Sequence, residues 1–166
     1  RIAQLASSAT VFDDMPSSDG TYYYRVVSVN GVGTPSAVSN EVQGVSDNTL
    51  PYAGSITYLS TGKMDPVTGR FGQGRVNVQV NVNEALNGTP FLSIVPTGGT
   101  PIAIDLTKQD DTNYNGSFVI GPDTPSGTAY ANFSARDMLG NRGTEVKVGA
   151  SLLIDTQGPI VTGISI

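Results

Sequence analysis

The sequence contains no cysteine, no histidine and no tryptophan. Without cysteine, no disulfide can cross-link the fold and no thiolate metal site can form. Without histidine, the chain lacks the usual general base, the Ser-His-Asp triad and the commonest zinc ligand. These absences exclude large classes of nucleophilic and zinc-dependent enzymes, and we expect these residues not to form an enzyme.

Basic residues are also scarce, with 9 Lys and Arg against 14 Asp and Glu and a net charge of −5. Nucleic-acid binding depends on clustered basic side chains, so we expect no nucleic-acid partner. No apolar run approaches the roughly 18 residues of a membrane span, so we expect no membrane insertion. Few lysines, no cysteine and abundant Thr and Asn are typical of secreted or cell-surface bacterial proteins, which is the predicted location.

The sequence is rich in alternating strand patterns. In 74–86, Val76, Val78, Val80 and Val82 share one face, and Asn and Gln residues share the other. A period of two predicts a strand with one buried and one wet face. Further strands are predicted at 53–60, 90–97, 100–107, 116–121, 128–137 and 143–155, separated by turn-forming pairs such as Asn87-Gly88, Gly98-Gly99 and Asn115-Gly116. About seven strands in roughly 100 residues indicate an all-β, antiparallel, immunoglobulin-like sandwich.

Two segments of the chain repeat each other. When 47–58 is placed under 155–166, Asp47 aligns with Asp155, Pro51 with Pro159, and Ile56 with Ile164. Each copy is an Asp, a polar turn, a Pro and then a strand pattern, which we interpret as a domain junction. The prediction is a partial domain at 1–46, a complete sandwich at 47–156, and a strand at 157–166 that begins a following domain or is donated to a neighbour.

The segment 21–42, TYYYRVVSVNGVGTPSAVSNEV, resembles the last two strands of a fibronectin type III domain. The resemblance implies that Tyr22, Tyr24 and Val26 point into a core and that Tyr23 is exposed. It also implies that one tyrosine hydroxyl bonds to the backbone as a tyrosine corner. The turn between the two strands would be formed by Asn30, Gly31 and Gly33.

The segment 133–146, FSARDMLGNRGTEV, resembles the bacterial immunoglobulin-like repeats of large surface and adhesin-type proteins. Asp137, Gly140 and Asn141 match a D-x-x-G-N hairpin that joins the last two strands of such repeats. The resemblance implies neighbouring domains of the same parent chain as partners, with a cell-surface or glycan ligand as a further candidate.

Oxygen-bearing side chains at the junctions and the hairpin are candidates for a calcium site. Calcium prefers carboxylate and carbonyl oxygens, and an ion at a junction would stiffen a chain of domains. No cofactor is required by the sequence, and calcium is the one candidate. The alternative is that each Asp caps a turn. The predicted ligands are Asp47, Asn48, Asp137, Asn141 and Asp155.

Paired carboxylates at Asp110 and Asp111 lie in the polar segment 107–116. They could bind calcium or act as a glycosidase acid and base. The interpretation we favour is a solvated turn in which Asp and Asn side chains bond to their own backbone.

The leading hypothesis for function is a non-enzymatic spacer or adhesion module of a secreted, multidomain bacterial surface protein. A first alternative is a self-assembling extracellular filament, in which Ile160, Ile164 and Ile166 enter a neighbouring subunit by strand exchange. A second alternative is an accessory carbohydrate-binding or spacer module of an extracellular polysaccharide-degrading enzyme.

Overall fold

The computed structural model describes residues 2–163. Over these residues the chain forms β-strands and no helix, so it offers no helical segment that could cross a membrane. Every pairing between its strands is antiparallel, which confirms the predicted all-β class. The chain divides into two compact units, Arg1–Thr49 and Leu50–Ile166. The predicted boundaries lie after residues 46 and 156, and the named domain types stay predictions.

The first unit is built on one antiparallel ladder of β1 (Gly20–Tyr24) and β2 (Val42–Ser46). Beyond β1 the two chain segments stay paired less regularly, through a bridge between Val29 and Pro35. The intervening turn is held by Asn30, whose Oδ1 accepts hydrogen bonds from two backbone amides. The predicted turn is therefore confirmed at Asn30.

No side chain of the first unit is buried among its described residues. Tyr22 and Tyr24 are half-buried, and Val26 is 71 % exposed. The prediction that these three side chains enter a core is wrong. The physical reason is that the ladder has two strands and no second layer within the unit, whereas a stable sheet needs a covered face.

The second unit is a sandwich of two antiparallel sheets. The first sheet contains four strands, in the order β3 (Ala53–Ser60), β4 (Gly74–Val82), β8 (Asn113–Ile120) and β7 (Thr107–Lys108). The second sheet contains β10 (Arg142–Gly143), β9 (Gly127–Arg136), β5 (Phe91–Pro96) and β6 (Ile102–Ile104), in that order, and β11 (Ser151–Ile154), which also pairs with β9.

The core lies between the inner faces of these two sheets. The four valines of β4 are at most 2 % exposed, which confirms the alternation predicted for that strand. They pack with buried side chains of the other strands, including Leu92, Ile94, Tyr114, Phe118, Phe133 and Ile154. Burial of this apolar surface is the main stabilising term of the unit.

One lateral edge of the sandwich is closed by a segment that changes sheets. The chain runs from β6 in the second sheet to β7 in the first, and it crosses close to Gly116. A Cβ on Gly116 would lie 2.7 Å from Ile104 Cγ2 and 2.9 Å from the Asp105 carbonyl oxygen. The predicted turn at Asn115-Gly116 is wrong, because this glycine lies inside β8 and makes room for the crossing chain.

The opposite edge is closed in the same way. After β10, the chain leaves the second sheet and residues 145–148 run parallel to the start of β3. Ala53 N donates to Glu145 O, Lys147 N donates to Ala53 O, and Ile56 N donates to Val148 O, each at 2.9 Å. The chain then returns as β11. The single strand predicted at 143–155 is therefore divided, since its middle pairs with the other sheet.

A hairpin between β3 and β4 covers the outer side of β11. Met64 pairs with Phe71. Phe71 N donates to Leu153 O at 2.8 Å, and Asp155 N donates to Phe71 O at 2.9 Å. This hairpin occupies backbone groups that an edge strand would otherwise present to other chains.

Candidate functional site

The structure brings Asp137 and Asn141 together at the turn after β9. Asp137 is 1 % exposed. Its Oδ1 accepts from the backbone N–H groups of Leu139 at 2.8 Å and Asn141 at 2.9 Å, and its Oδ2 accepts from Asn141 Nδ2 at 2.7 Å. The sequence motif therefore forms a closed hydrogen-bonded turn, which is the arrangement expected of a capping carboxylate.

A second carboxylate, Glu84, lies beside this turn and was not among the predicted ligands. One of its oxygens is within 4.8 Å of a carboxylate oxygen of Asp137, and Asn83 Nδ2 donates to Glu84 Oε1 at 2.8 Å. Local sequence patterns did not indicate that Glu84 lies near Asp137. The two residues belong to distant parts of the sequence, which meet nearby at the isolated bridge between Leu86 and Asp137.

Asp155 lies at the other end of the same sandwich. Ile154 pairs with Gly127 at the start of β9, whereas Asp137 follows the end of β9. Because β9 has 10 residues, the two carboxylates are separated by roughly 30 Å and cannot share an ion. Asp155 Oδ2 instead lies 3.4 Å from Arg70 Nη1, in an ion pair that spans 85 residues of sequence.

Asp47 and Asn48 lie in the first unit. Asp47 Oδ1 accepts from Thr49 N at 3.0 Å. The side-chain amide of Asn48 donates to Pro16 O and to Ser46 Oγ, both at 3.3 Å. Capping of the local turn is therefore present at Asp47, and calcium binding by the five predicted ligands stays a prediction.

Asp110 closes the turn between β7 and β8, as predicted. Its Oδ1 accepts from Thr112 N and Asn113 N, both at 2.9 Å. These bonds, the one to the Thr112 amide first, hold the pKa of Asp110 below its usual range. A general acid needs a raised pKa, so the direction of this shift is the wrong one for a glycosidase acid. Asp111 forms an exposed ion pair with Lys108 at 2.8 Å.

The three consecutive tyrosines take different environments. Tyr22 donates its hydroxyl hydrogen to Ser18 O, and Tyr24 donates to Asp14 Oδ2, both at 2.8 Å. The predicted backbone bond of one hydroxyl is confirmed. Tyr23 is 60 % exposed, also as predicted.

The predicted donor strand is described only in part. Residues 157–163 form no strand, and Ile160 is 86 % exposed. No strand of the described chain pairs with residues 159–163, and the prediction that 157–166 begins a following domain or is donated to a neighbour stays a prediction. Ile164 and Ile166 lie outside the described residues.

A shallow depression lies below the Met64–Phe71 hairpin, lined by Lys63, Met64, Asp65, Arg70, Gly72 and Asp155. Its Asp65 accepts a hydrogen bond from the Thr68 hydroxyl, and this bond is the main cause that lowers the pKa of the Asp65 carboxyl. Its other charged side chains are Lys63, Arg70 and Asp155, and the last two form the ion pair described above.

Comparison with known proteins gives no match: no family model fits the sequence, and no curated protein or solved structure matches the chain.

Proposed function

We propose that this chain is a load-bearing spacer of a secreted, multidomain bacterial surface protein. In this proposal the second unit is an immunoglobulin-like sandwich, and the first unit is the closing part of a fibronectin type III domain. The observation that supports it is that the chain enters and leaves the second unit at opposite ends.

The positions at which the chain enters and leaves the second unit are set by the residues that pair with β9. At the entry, a Cβ on Gly143 would lie 1.6 Å from the Pro51 carbonyl oxygen, and Gly143 pairs with Ala135 near the end of β9. At the exit, Ile154 pairs with Gly127 at the start of β9. The length of β9 sets the distance between the two ends at roughly 30 Å, so the unit extends a chain of domains.

The pairing of β3 with residues 145–148 fits a mechanical role. Strand β3 and residues 145–148 are parallel, and both run from the entry end toward the exit end. A force that pulls the two ends apart drives these segments past each other lengthwise. The three bonds that join Ala53 and Ile56 to this segment are then loaded together rather than one after another, so the unit resists extension.

The lateral edges support the same role. Both are occupied by segments that change sheets, and the Met64–Phe71 hairpin covers β11. A repeat that stands beside many others needs edges that do not pair with its neighbours. The outer face of β4 carries Asn77, Gln79 and Asn81, which keep that face polar.

Single-molecule force spectroscopy on the full chain, held by its two ends, tests the load-bearing role. We expect the second unit to unfold in one high-force event. Lys147→Pro removes the N–H that bonds to Ala53 O and should lower the unfolding force, whereas Lys147→Ala keeps that N–H and should leave the force nearly unchanged. Equal forces for all three proteins would count against the proposal.

The proposed location needs its own test. Antibody labelling and external protease treatment of intact source cells should detect the chain outside the cell envelope. Signal that appears only after lysis would overturn the surface assignment without affecting the mechanical result.

A further inference from the structure

Glycine follows three of the asparagines in the chain, Asn30, Asn87 and Asn115. Asparagine is a chemically labile residue, and a following glycine makes it more so, because glycine has no Cβ to keep its backbone nitrogen away from the side chain. The three pairs are equivalent in local sequence, but the structure places them in three different environments. The fold therefore decides which of these asparagines reacts.

The reaction is an attack by the backbone nitrogen of the glycine on the asparagine Cγ. The N–Cγ bond forms, the Cγ–Nδ2 bond breaks, and Nδ2 leaves as ammonia with the proton of the attacking nitrogen. Water then adds to one of the two carbonyl groups of the cyclic imide and opens the ring. The products are aspartate and isoaspartate, and in isoaspartate the main chain continues through the side-chain carboxyl carbon. Water is the only co-reactant, so the rate depends on how freely the two groups can meet.

At Asn87 both reacting groups are free. Asn87, Gly88 and Thr89 are exposed and lie between β4 and β5. Gly88 has a φ of +95°, and a Cβ there would meet nothing within 4 Å. Within the described chain, no hydrogen bond engages the Asn87 side chain or the Gly88 N–H group, and only Asn87 N is held, by Arg136 O at 2.9 Å. The side chain and the attacking nitrogen can therefore meet without breaking a hydrogen bond.

Asn30 also lies in an exposed turn, but its side chain is held. Its Oδ1 accepts from Val32 N at 3.1 Å and from Thr34 N at 2.9 Å. The backbone of the turn is held as well, since Asn30 N donates to Thr34 O at 3.1 Å and Gly33 N donates to Asn30 O at 3.0 Å. Rotation of the side chain toward the following nitrogen breaks the two bonds to Oδ1, so we expect slower conversion than at Asn87.

Asn115 is the most constrained of the three. It lies inside β8, opposite Gln79 of β4 on one side and opposite Thr107 of β7 on the other. The backbone of Gly116 is packed against the crossing segment that contains Asp105. Reaction at Asn115 therefore needs local opening of the sheet, which has a free-energy cost that an exposed turn does not have.

We propose that Asn87 is a site of spontaneous deamidation in the folded chain and that it reacts ahead of Asn30 and Asn115. Each event adds one negative charge to a chain whose net charge is −5, and isoaspartate also lengthens the backbone at that point. The site adjoins the turn of the buried Asp137, since Leu86 forms a bridge with Asp137. The modification therefore alters the end of the sandwich at which the chain enters. It does not depend on the load-bearing role.

Incubation of the full chain in mildly alkaline buffer, followed by peptide mapping with mass spectrometry, tests the proposal. We expect the Asn87 peptide to gain the mass difference between aspartate and asparagine, and backbone fragmentation should identify isoaspartate in it. The rate at Asn87 should exceed the rate at Asn115 by at least about tenfold, and the rate at Asn30 should also be lower. Asn87→Gln is the matched variant, because the same attack on Gln closes a larger ring that forms much more slowly. It should lose the modification at position 87 and leave the rates at the other two sites unchanged.

The same measurement in concentrated guanidinium chloride removes the fold. All three sites should then convert at similar rates, because each is an asparagine followed by glycine. This comparison separates the effect of the structure from the effect of the local sequence.

Four results would overturn the proposal. Asn87 that stays intact in the folded chain shows that its turn is protective. Equal rates at Asn87 and Asn115 in the folded chain show that the fold does not discriminate between the sites. A faster reaction at Asn30 shows that the two bonds to Oδ1 activate its Cγ instead of restraining it. An unchanged order of rates in denaturant shows that the local sequence, and not the fold, sets the order.

Discussion

Gly149 and Ile56 touch backbone to backbone: a Cβ on Gly149 would lie 1.9 Å from the Ile56 carbonyl oxygen. Gly149 has a φ of +80°, in the left-handed region that favours glycine. The residue before it, Val148, accepts the hydrogen bond of Ile56 N. At this position the pairing of residues 145–148 with β3 ends, and the chain turns back toward β11.

Gly149→Ala should destabilise the second unit by about 3 kcal/mol or more, since the new methyl group collides with backbone and the conformation is strained. Urea unfolding followed by circular dichroism measures the loss. Gly158→Ala is the control, because no atom lies within 4 Å of a Cβ there, and it should change stability by less than about 0.5 kcal/mol. Similar stability of the two variants would contradict the close contact.

Phe71→Ala should cost about 3 to 5 kcal/mol of stability. Phe71 is 8 % exposed and meets the ring of Tyr58 edge-on, with ring centres 6.4 Å apart. Val67→Ala in the same hairpin is the matched control, as Val67 is 91 % exposed, and its melting temperature should match that of the parent. A small effect at Phe71 would mean that the hairpin is not part of the core.

Asp137→Ala should destabilise the second unit by about 2 to 3 kcal/mol, because it leaves two backbone N–H groups and the Asn141 amide without their acceptor. The melting temperatures of the parent and the variant, each measured with calcium and with a chelator, test the metal prediction and the structural role together. The hydrogen-bonded turn predicts the same loss in both buffers. A loss confined to the calcium buffer would favour the metal site instead.

Stability should decline at alkaline pH through buried tyrosines. Burial raises the pKa of both Tyr58 and Tyr114 above the ordinary tyrosine value. A raised folded-state pKa gives stability that is complete below about pH 10, the unfolded value, and is lost as pH rises through the folded value. Melting temperature measured against pH should fall in that range.

The Tyr114→Phe variant separates the titration of the Tyr114 hydroxyl from the packing of its ring. Among the described residues, the Tyr114 hydroxyl is the one buried side-chain polar atom without a hydrogen-bond partner. Its removal should leave neutral-pH stability unchanged or up to about 1 kcal/mol higher, and the alkaline decline should become shallower. An unchanged alkaline decline would show that Tyr114 does not titrate with unfolding.

Local pattern predicted the strands that obey it. Alternation placed the four valines of β4 in the core, and the predicted strand at 53–60 coincides with Ala53–Ser60. Gly116 was misread because a glycine that makes room for another chain looks the same in sequence as a glycine in a turn. The interruption at 145–148 depends on contacts with β3, about which a local pattern carries no information.

The predicted metal ligands also include contacts that a local motif predicts and contacts that it does not. The D-x-x-G-N motif predicted a turn, and Asp137 and Asn141 close one. The ion pair between Arg70 and Asp155 and the approach of Glu84 to Asp137 join residues far apart in sequence. Such contacts arise only from the packing of the whole unit, so motif spacing could not reveal them.

Because its first strand, β3, pairs with residues 145–148, we expect the second unit to close late in folding. The hydroxyl of Tyr58 donates to Gly149 O across 91 residues of sequence. Contacts at such separation form slowly and only after a long loop has closed. A ribosome that has made β3 soon adds β4, which pairs with one edge of β3, but it must add nearly the whole unit before residues 145–148 can pair with the other edge. Until then the start of β3 lacks the three backbone hydrogen bonds that residues 145–148 supply.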